Sequence, residues 1–123
     1  MGRIGGRALE IKRRSISWIK AARGDFDAFP EPARVEALRA LAVAAEGRMA
    51  DNVKPLKGFG GGVMEIVLRQ RGDAFRVVYA VQIGDDLWVV HAFHKKSKHG
   101  IGTPKHEIDL VHDRLKRLKE MLR

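Results

Sequence analysis

The side chains best suited to chemistry in this 123-residue sequence sit in two short tracts and at one isolated arginine. The first tract, His91-Ala92-Phe93-His94-Lys95-Lys96-Ser97-Lys98-His99, follows the apolar run Leu87-Trp88-Val89-Val90 and brings three imidazoles and three ammonium groups to its end. Imidazoles exchange protons near neutral pH, and clustered ammonium groups hold phosphate. The second tract is Lys54-Pro55-Leu56-Lys57-Gly58-Phe59-Gly60-Gly61-Gly62. It lacks the Gly-Lys-Ser/Thr ending of a nucleotide phosphate loop and leads into a strand rather than a helix, so that chemistry is not expected. Two lysines on a loop beside a sheet suit an RNA backbone instead, and plain solvated surface is the bland alternative. Arg76 stands at the start of the apolar run Val77-Val78-Tyr79-Ala80-Val81. Desolvating a guanidinium there costs several kcal/mol, of order ~3–5, unless an anion pairs with it. Glu65 is the nearest candidate anion, and an ion pair across a hairpin would account for both on structural grounds alone.

Alternation assigns these groups to faces. Val63, Glu65, Val67 and Arg69 share one face of their strand. Phe75, Val77, Tyr79 and Val81 point opposite to Arg76, Val78, Ala80 and Gln82. On the next strand Trp88, Val90, Ala92, His94 and Lys96 share a face, opposite Val89, His91, Phe93 and Lys95. His91 and His94 therefore diverge, no carboxylate lies among the histidines, and the lysines repel a cation, so no metal site and no cofactor is expected. His91 reads as structural, and His94 is the better functional candidate.

Composition narrows the partner. Lys and Arg number 24 against 15 Asp and Glu, a formal charge of +9 on a single small domain. Such an excess favours a polyanion, nucleic acid before membrane. The absence of cysteine excludes disulfides and thiolate metal sites. No apolar run approaches the ~20 residues of a membrane span, and the basic start carries no secretory apolar segment. A cytoplasmic location is the expectation. For an RNA partner, cleavage by the substrate's own 2′-hydroxyl needs a base, an acid and cations around the phosphorane, with no metal. Arg76, Lys54, Lys57, Lys95 and Lys96 supply charge, and His94 a titrating group.

The elements that must position these groups follow from pattern. Residues 1–14 read as a basic, flexible tail and 15–123 as one domain. A short strand is expected at Ser15–Ile19 and a helix from Lys20 to Phe29. A second helix runs from Glu31 to Glu46, with Pro32 in its first turn and Gly47 as its cap. Val35, Leu38, Leu41, Ala42 and Ala45 form its predicted core face. Residues 48–62 read as loop. Strands Val63–Gln70, Ala74–Gln82 and Leu87–His94 are joined by Arg71-Gly72-Asp73 and Gly84-Asp85-Asp86, which predicts an antiparallel meander. Thr103-Pro104 reads as N-cap and first turn of a last helix ending near Leu122, with Ile108, Val111, Leu115, Leu118 and Leu122 as its apolar stripe. The fold class is α+β, a small antiparallel sheet of three to four strands packed against two N-terminal helices and one C-terminal helix.

In this order, Lys54-Pro-Leu-Lys57-Gly, Val63-Met-Glu65-Ile and Gly72-Asp-Ala-Phe-Arg76-Val-Val-Tyr79 resemble the RelE/ParE toxin superfamily. The run His91-Ala-Phe-His94-Lys95-Lys96-Ser97-Lys98, followed by Thr103-Pro-Lys, resembles its HigB-like, phage-derived branch. The resemblance implies a RelE-like fold and the toxin of a type II toxin–antitoxin pair. Such toxins are metal-independent messenger RNA endoribonucleases, usually acting on the ribosome and silenced by a cognate antitoxin, here a helix-turn-helix protein. It implies Arg76 as the arginine that stabilises the transition state, Lys54 and Lys57 as phosphate-binding residues, and Lys95 and Lys96 as the branch's signature pair. Together with the residue chemistry above, Arg76, His94, Lys95, Lys96 and Glu65 are the catalytic candidates and Lys54, Lys57, Arg69 and Lys98 the RNA-binding ones. Two departures stand out: His94 replaces the branch's usual glutamine, and the C-terminus lacks the tyrosine or histidine of many RelE-type enzymes. A ParE-like gyrase inhibitor, and an inactive basic phage-derived binding protein, are the alternatives.

Overall fold

The computed structural model describes residues 13–95 and 102–122. In chain order the elements are β1 (Ile16–Trp18), α1 (Lys20–Asp27), α2 (Glu31–Ala45), β2 (Val53–Pro55), β3 (Val63–Gln70), β4 (Asp73–Ile83), β5 (Asp86–Lys95) and α3 (Lys105–Met121). The sheet has five strands in the order β1-β5-β4-β3-β2. The meander β3-β4-β5 is its centre, as the turn chemistry predicts. Arg71 (φ 52°) and Gly72 (φ 85°) close the first hairpin with both central residues at positive φ, the twist that a two-residue turn needs. Two edge strands complete the sheet. β1 pairs parallel to β5, and β2, which the sequence presents only as loop, pairs antiparallel to β3. Residues Arg13 and Arg14, expected in the tail, are tied to the end of α2: Arg13 pairs with Glu46 at 3.0 Å, and the Arg14 amide donates to the Ala45 carbonyl.

Helices cover both faces, so the sheet has two cores. On one side Phe26, Phe29 and Leu41 meet Ile66, Leu68, Phe75, Val77, Tyr79 and Val89. On the other Val111, Leu115 and Leu118 of α3 meet Val78, Ala80, Val90 and Phe93. The second helix departs from its predicted face. It buries Ala33, Ala37, Ala40, Leu41, Ala44 and Ala45, while Val35 and Leu38 are 42% and 48% exposed. Small side chains let the helix lie close to β3, which the larger stripe would prevent. Ala37→Leu is therefore expected to destabilise by about 1–3 kcal/mol through overpacking, whereas Leu38→Ala shifts stability by no more than about 0.5 kcal/mol. Urea denaturation of the two variants checks the pair.

A polar clamp holds α3 to the sheet. Arg114 Nη1 donates to the Val90 carbonyl at 2.9 Å and lies 3.1 Å from His91 Nδ1; His91 Nε2 lies 2.7 Å from Glu107 Oε1. A guanidinium only donates, so Nδ1 accepts and the neutral ring's proton sits on Nε2, facing Glu107. Burial lowers the His91 pKa below 6.5, against the opposing pull of Glu107 and the weaker one of Asp25, with Arg114 adding to the depression. The unfolded chain thus takes up this proton at a pH where the folded one does not. The contribution is complete above about pH 6.5 and is lost as pH falls through that value toward the folded one. The urea midpoint should fall between about pH 7.5 and 5.5, and His91→Gln should flatten that part of the profile. An unchanged profile in the variant would assign it to other groups.

Candidate functional site

On the α3 side, one diagonal crosses four strands. Lys54 on β2 lies opposite Glu65 on β3; Val67, two residues on along the same face, lies opposite Arg76 on β4. Lys95, at the end of β5, lies opposite Ala74 of β4. The side chains converge on Glu65, which is fully buried. Arg76 Nη1 donates to Glu65 Oε1 at 3.2 Å, and Lys54 Nζ lies 3.9 Å from the same oxygen. Arg76 is only 3% exposed, and its Nε has no hydrogen-bond partner among the described residues. The ion pair expected across the hairpin is present, yet one carboxylate faces the positive charges of Lys54, Arg76 and Lys95.

Lys95 is buried at 6% exposure. Burial lowers its ammonium pKa from the ordinary 10.5, Arg76, Lys54 and Arg69 push the same way, and Glu65 opposes them. A lysine in such surroundings gives up its proton more readily than a solvated one. Arg69, exposed at the end of β3, adds to this field. Lys57 is exposed on the loop after β2 and lines, with Lys54 and Glu65, a cleft of about 390 Å³. Lys96 and Lys98 lie outside the described residues.

His94 is not brought to this cluster. Between Val78 and Tyr79 the β4–β5 register shifts: Val78 pairs with His91 and Tyr79 with Val89, leaving Val90 as an inserted residue. Such a bulge reverses the phase of everything after it. The predicted face of Trp88, Val90, Ala92 and His94 is therefore split. Trp88 and Val90 pack on the α3 side, where His91 meets Glu107, and Ala92 packs on the opposite side. His94 follows Ala92 and stacks on Phe75 at 4.5 Å between centroids, with Nε2 3.4 Å from Asp73 Oδ1. The same bulge carries Lys95 toward Arg76.

One site residue escaped sequence reasoning. Thr103, expected as the N-cap of α3, cedes that position to Pro104, whose side chain makes no cap hydrogen bond. Its hydroxyl donates instead to Glu65 Oε2 at 2.7 Å. The Thr-Pro pair signals a helix start from local chemistry alone, and the long-range partner leaves no trace in spacing. Among the described residues no group of three or more His, Cys, Asp or Glu is placed to hold a metal, and no helix is long and apolar enough to cross a membrane.

The fold that positions this cluster has neighbours among known proteins. Among solved structures, a mutant of the E. coli toxin RelE in its free state superposes with a TM-score of 0.58 at 17% identity, over 85% of this chain and 97% of that one. A chain of the toxin–antitoxin complex RelBE2 from Mycobacterium tuberculosis gives a TM-score of 0.44 at 19% identity, over 72% and 98%. No curated protein matches the sequence. The family model for phage-derived Gp49-like proteins matches residues 24–116. With that match over most of its length, the chain belongs to the phage-derived Gp49-like family, and it carries the RelE-like toxin fold.

Proposed function

We propose that the protein is the toxin of a type II toxin–antitoxin pair, a metal-independent endoribonuclease that cuts messenger RNA, on the ribosome, by attack of the 2′-hydroxyl on the adjacent phosphate. The observation that supports this reading best is the excess of positive charge around the buried Glu65, from the buried Arg76 and Lys95 and the half-exposed Lys54, beside an open cleft. Such a cluster suits a phosphorane, whose added negative charge exists only in the transition state. Lys54 and Lys57 hold the backbone, and Arg76 and Lys95 stabilise the phosphorane. As the 2′-oxygen bonds to phosphorus, its proton passes through the Thr103 hydroxyl to Glu65. The bond to the 5′-oxygen breaks and takes a proton from Lys95, leaving a 2′,3′-cyclic phosphate and a 5′-hydroxyl end. His94 has no part in these steps. A helix-turn-helix antitoxin silences the toxin, and both work in the cytoplasm.

Induction followed by mapping of messenger RNA ends tests the proposal. New 5′-hydroxyl ends within coding sequences, absent from the Arg76→Lys variant, are expected. Intact transcripts with a DNA damage response would replace the nuclease with a ParE-like gyrase inhibitor. Unaffected growth with retained antitoxin binding would leave only a binding protein.

A further inference from the structure

Beyond the lysine loop the same face opens again, into a cleft of about 560 Å³ lined by Phe59, Val63, Ile83, His112, Lys116 and Lys119. We propose that this cleft is a nucleotide subsite for single-stranded RNA, in which a base stacks on the Phe59–His112 pair and Lys116 and Lys119 hold the adjoining phosphates. The inference rests on the RNA reading of the neighbouring site and extends it.

Four observations carry it. Phe59 and His112 stack at 4.0 Å between centroids with planes 21° apart. Phe59 is anchored against the α3-side core, while His112 is exposed and presents the outer face of the pair to solvent. Stacked rings of this kind form sequence-tolerant platforms for bases. The cations beside the platform are also uncommitted. Lys105 and Arg117 of α3 pair with Asp109 and Asp113, whereas among the described residues no carboxylate lies within 4.0 Å of Lys116 or Lys119.

The loop, in turn, is shaped to keep the cleft open. Gly58, Gly60, Gly61 and Gly62 all have positive φ, between 70° and 106°. An added Cβ at Gly58, Gly60 or Gly61 would meet nothing within 4 Å. Glycine serves the loop's path there, not close packing, and it leaves the wall low. Finally, the two clefts are adjacent. Lys57 lines the first and Gly58 the second; Glu65 and Val63, about 7 Å apart on one face of β3, divide in the same way, as do Ile108 and His112 one turn apart on α3. A strand laid on the lysines of the first cleft reaches the rings of the second. At about 560 Å³ the second falls in the size range of small-ligand sites.

The probe is a fluorescein-labelled, fully 2′-O-methylated 12-mer of mixed sequence, which binds without being cut, read by fluorescence polarisation on the full chain. His112→Leu keeps an apolar contact for Phe59 and removes the exposed π-face; it should weaken binding about 5- to 150-fold, with an unchanged urea midpoint. His112→Trp should retain affinity. The double variant Lys116→Ala/Lys119→Ala should lower the slope of log affinity against log salt by roughly 1.4, at about 0.7 per single-strand phosphate contact. Wild-type affinity and slope in His112→Leu and in the double variant would overturn the subsite while leaving messenger RNA cleavage, scored separately, to stand or fall by itself. AMP binding as tight as the oligonucleotide would overturn it too, making the cleft a mononucleotide site.

Discussion

Glu65→Gln is expected to cost about 3–5 kcal/mol of folding stability, a large share of what a domain of this size has. The substitution hardly alters shape; what it removes is the buried negative charge that faces Lys54, Arg76 and Lys95. Glu65 is fully buried and Arg76 only 3% exposed, so water cannot take over the solvation that the carboxylate provides. Glu65 is also the acidic group that draws the Lys95 ammonium back toward its ordinary pKa. Without it, Lys95 moves further down and tends to shed its proton as the cheaper way to relieve the cluster. Replacing both partners separates the charge effect from the packing effect. Glu65→Leu with Arg76→Met removes the pair as a unit, and such exchanges are often neutral or stabilising. Urea denaturation of the single and double variants should therefore show a deep loss recovered for the most part by the double. A loss below about 1 kcal/mol in Glu65→Gln would mean that the cations are neutralised by something other than this carboxylate.

What was legible in the sequence follows from where water enters the pattern. The turns at Arg71-Gly72 and Gly84-Asp85 are exposed and chemically distinctive, and the meander between them falls where expected. The diagonal partnership of Arg76 with Glu65 was also legible, because a charge in an apolar run demands a counter-charge nearby. The phase of β5 was not. The sheet is covered on both faces, so Leu87 through Phe93 is apolar or buried at nearly every position, and its one polar residue, His91, is itself buried and does not mark which side is which. A one-residue insertion at Val90 then leaves no signature, yet it decides that Lys95 and not His94 joins the cluster. The face of α2 was misread for a related reason. Hydrophobicity favoured Val35 and Leu38, whereas the close approach to β3 selects for smallness, and Ala33, Ala37 and Ala40 supply it. Three-residue β2 ends on Pro55 and lies at the sheet edge, where proline is tolerated; its length is below what alternation can detect.

Arg76→Lys should reduce RNA cleavage by about 10²–10³-fold while leaving the protein folded, the loss typical of removing one preorganised donor from a site where charge develops. Lysine keeps the positive charge that Glu65 requires, so the fold survives a change that Arg76→Ala would not test cleanly. What it removes is the planar fork: Nη1 on Glu65 and an Nε without a hydrogen-bond partner among the described residues. A buried donor left unpaired in the resting protein costs about 1–3 kcal/mol, and a phosphorane oxygen offers it the acceptor it lacks. That difference between resting and transition states is what accelerates a reaction. Single-turnover cleavage of a short RNA by wild type and Arg76→Lys, with circular dichroism and urea midpoints measured alongside, separates rate from folding. A folded lysine variant cutting within about threefold of wild type would show that charge alone suffices, and that the orphaned Nε belongs to the architecture of the sheet rather than to its chemistry.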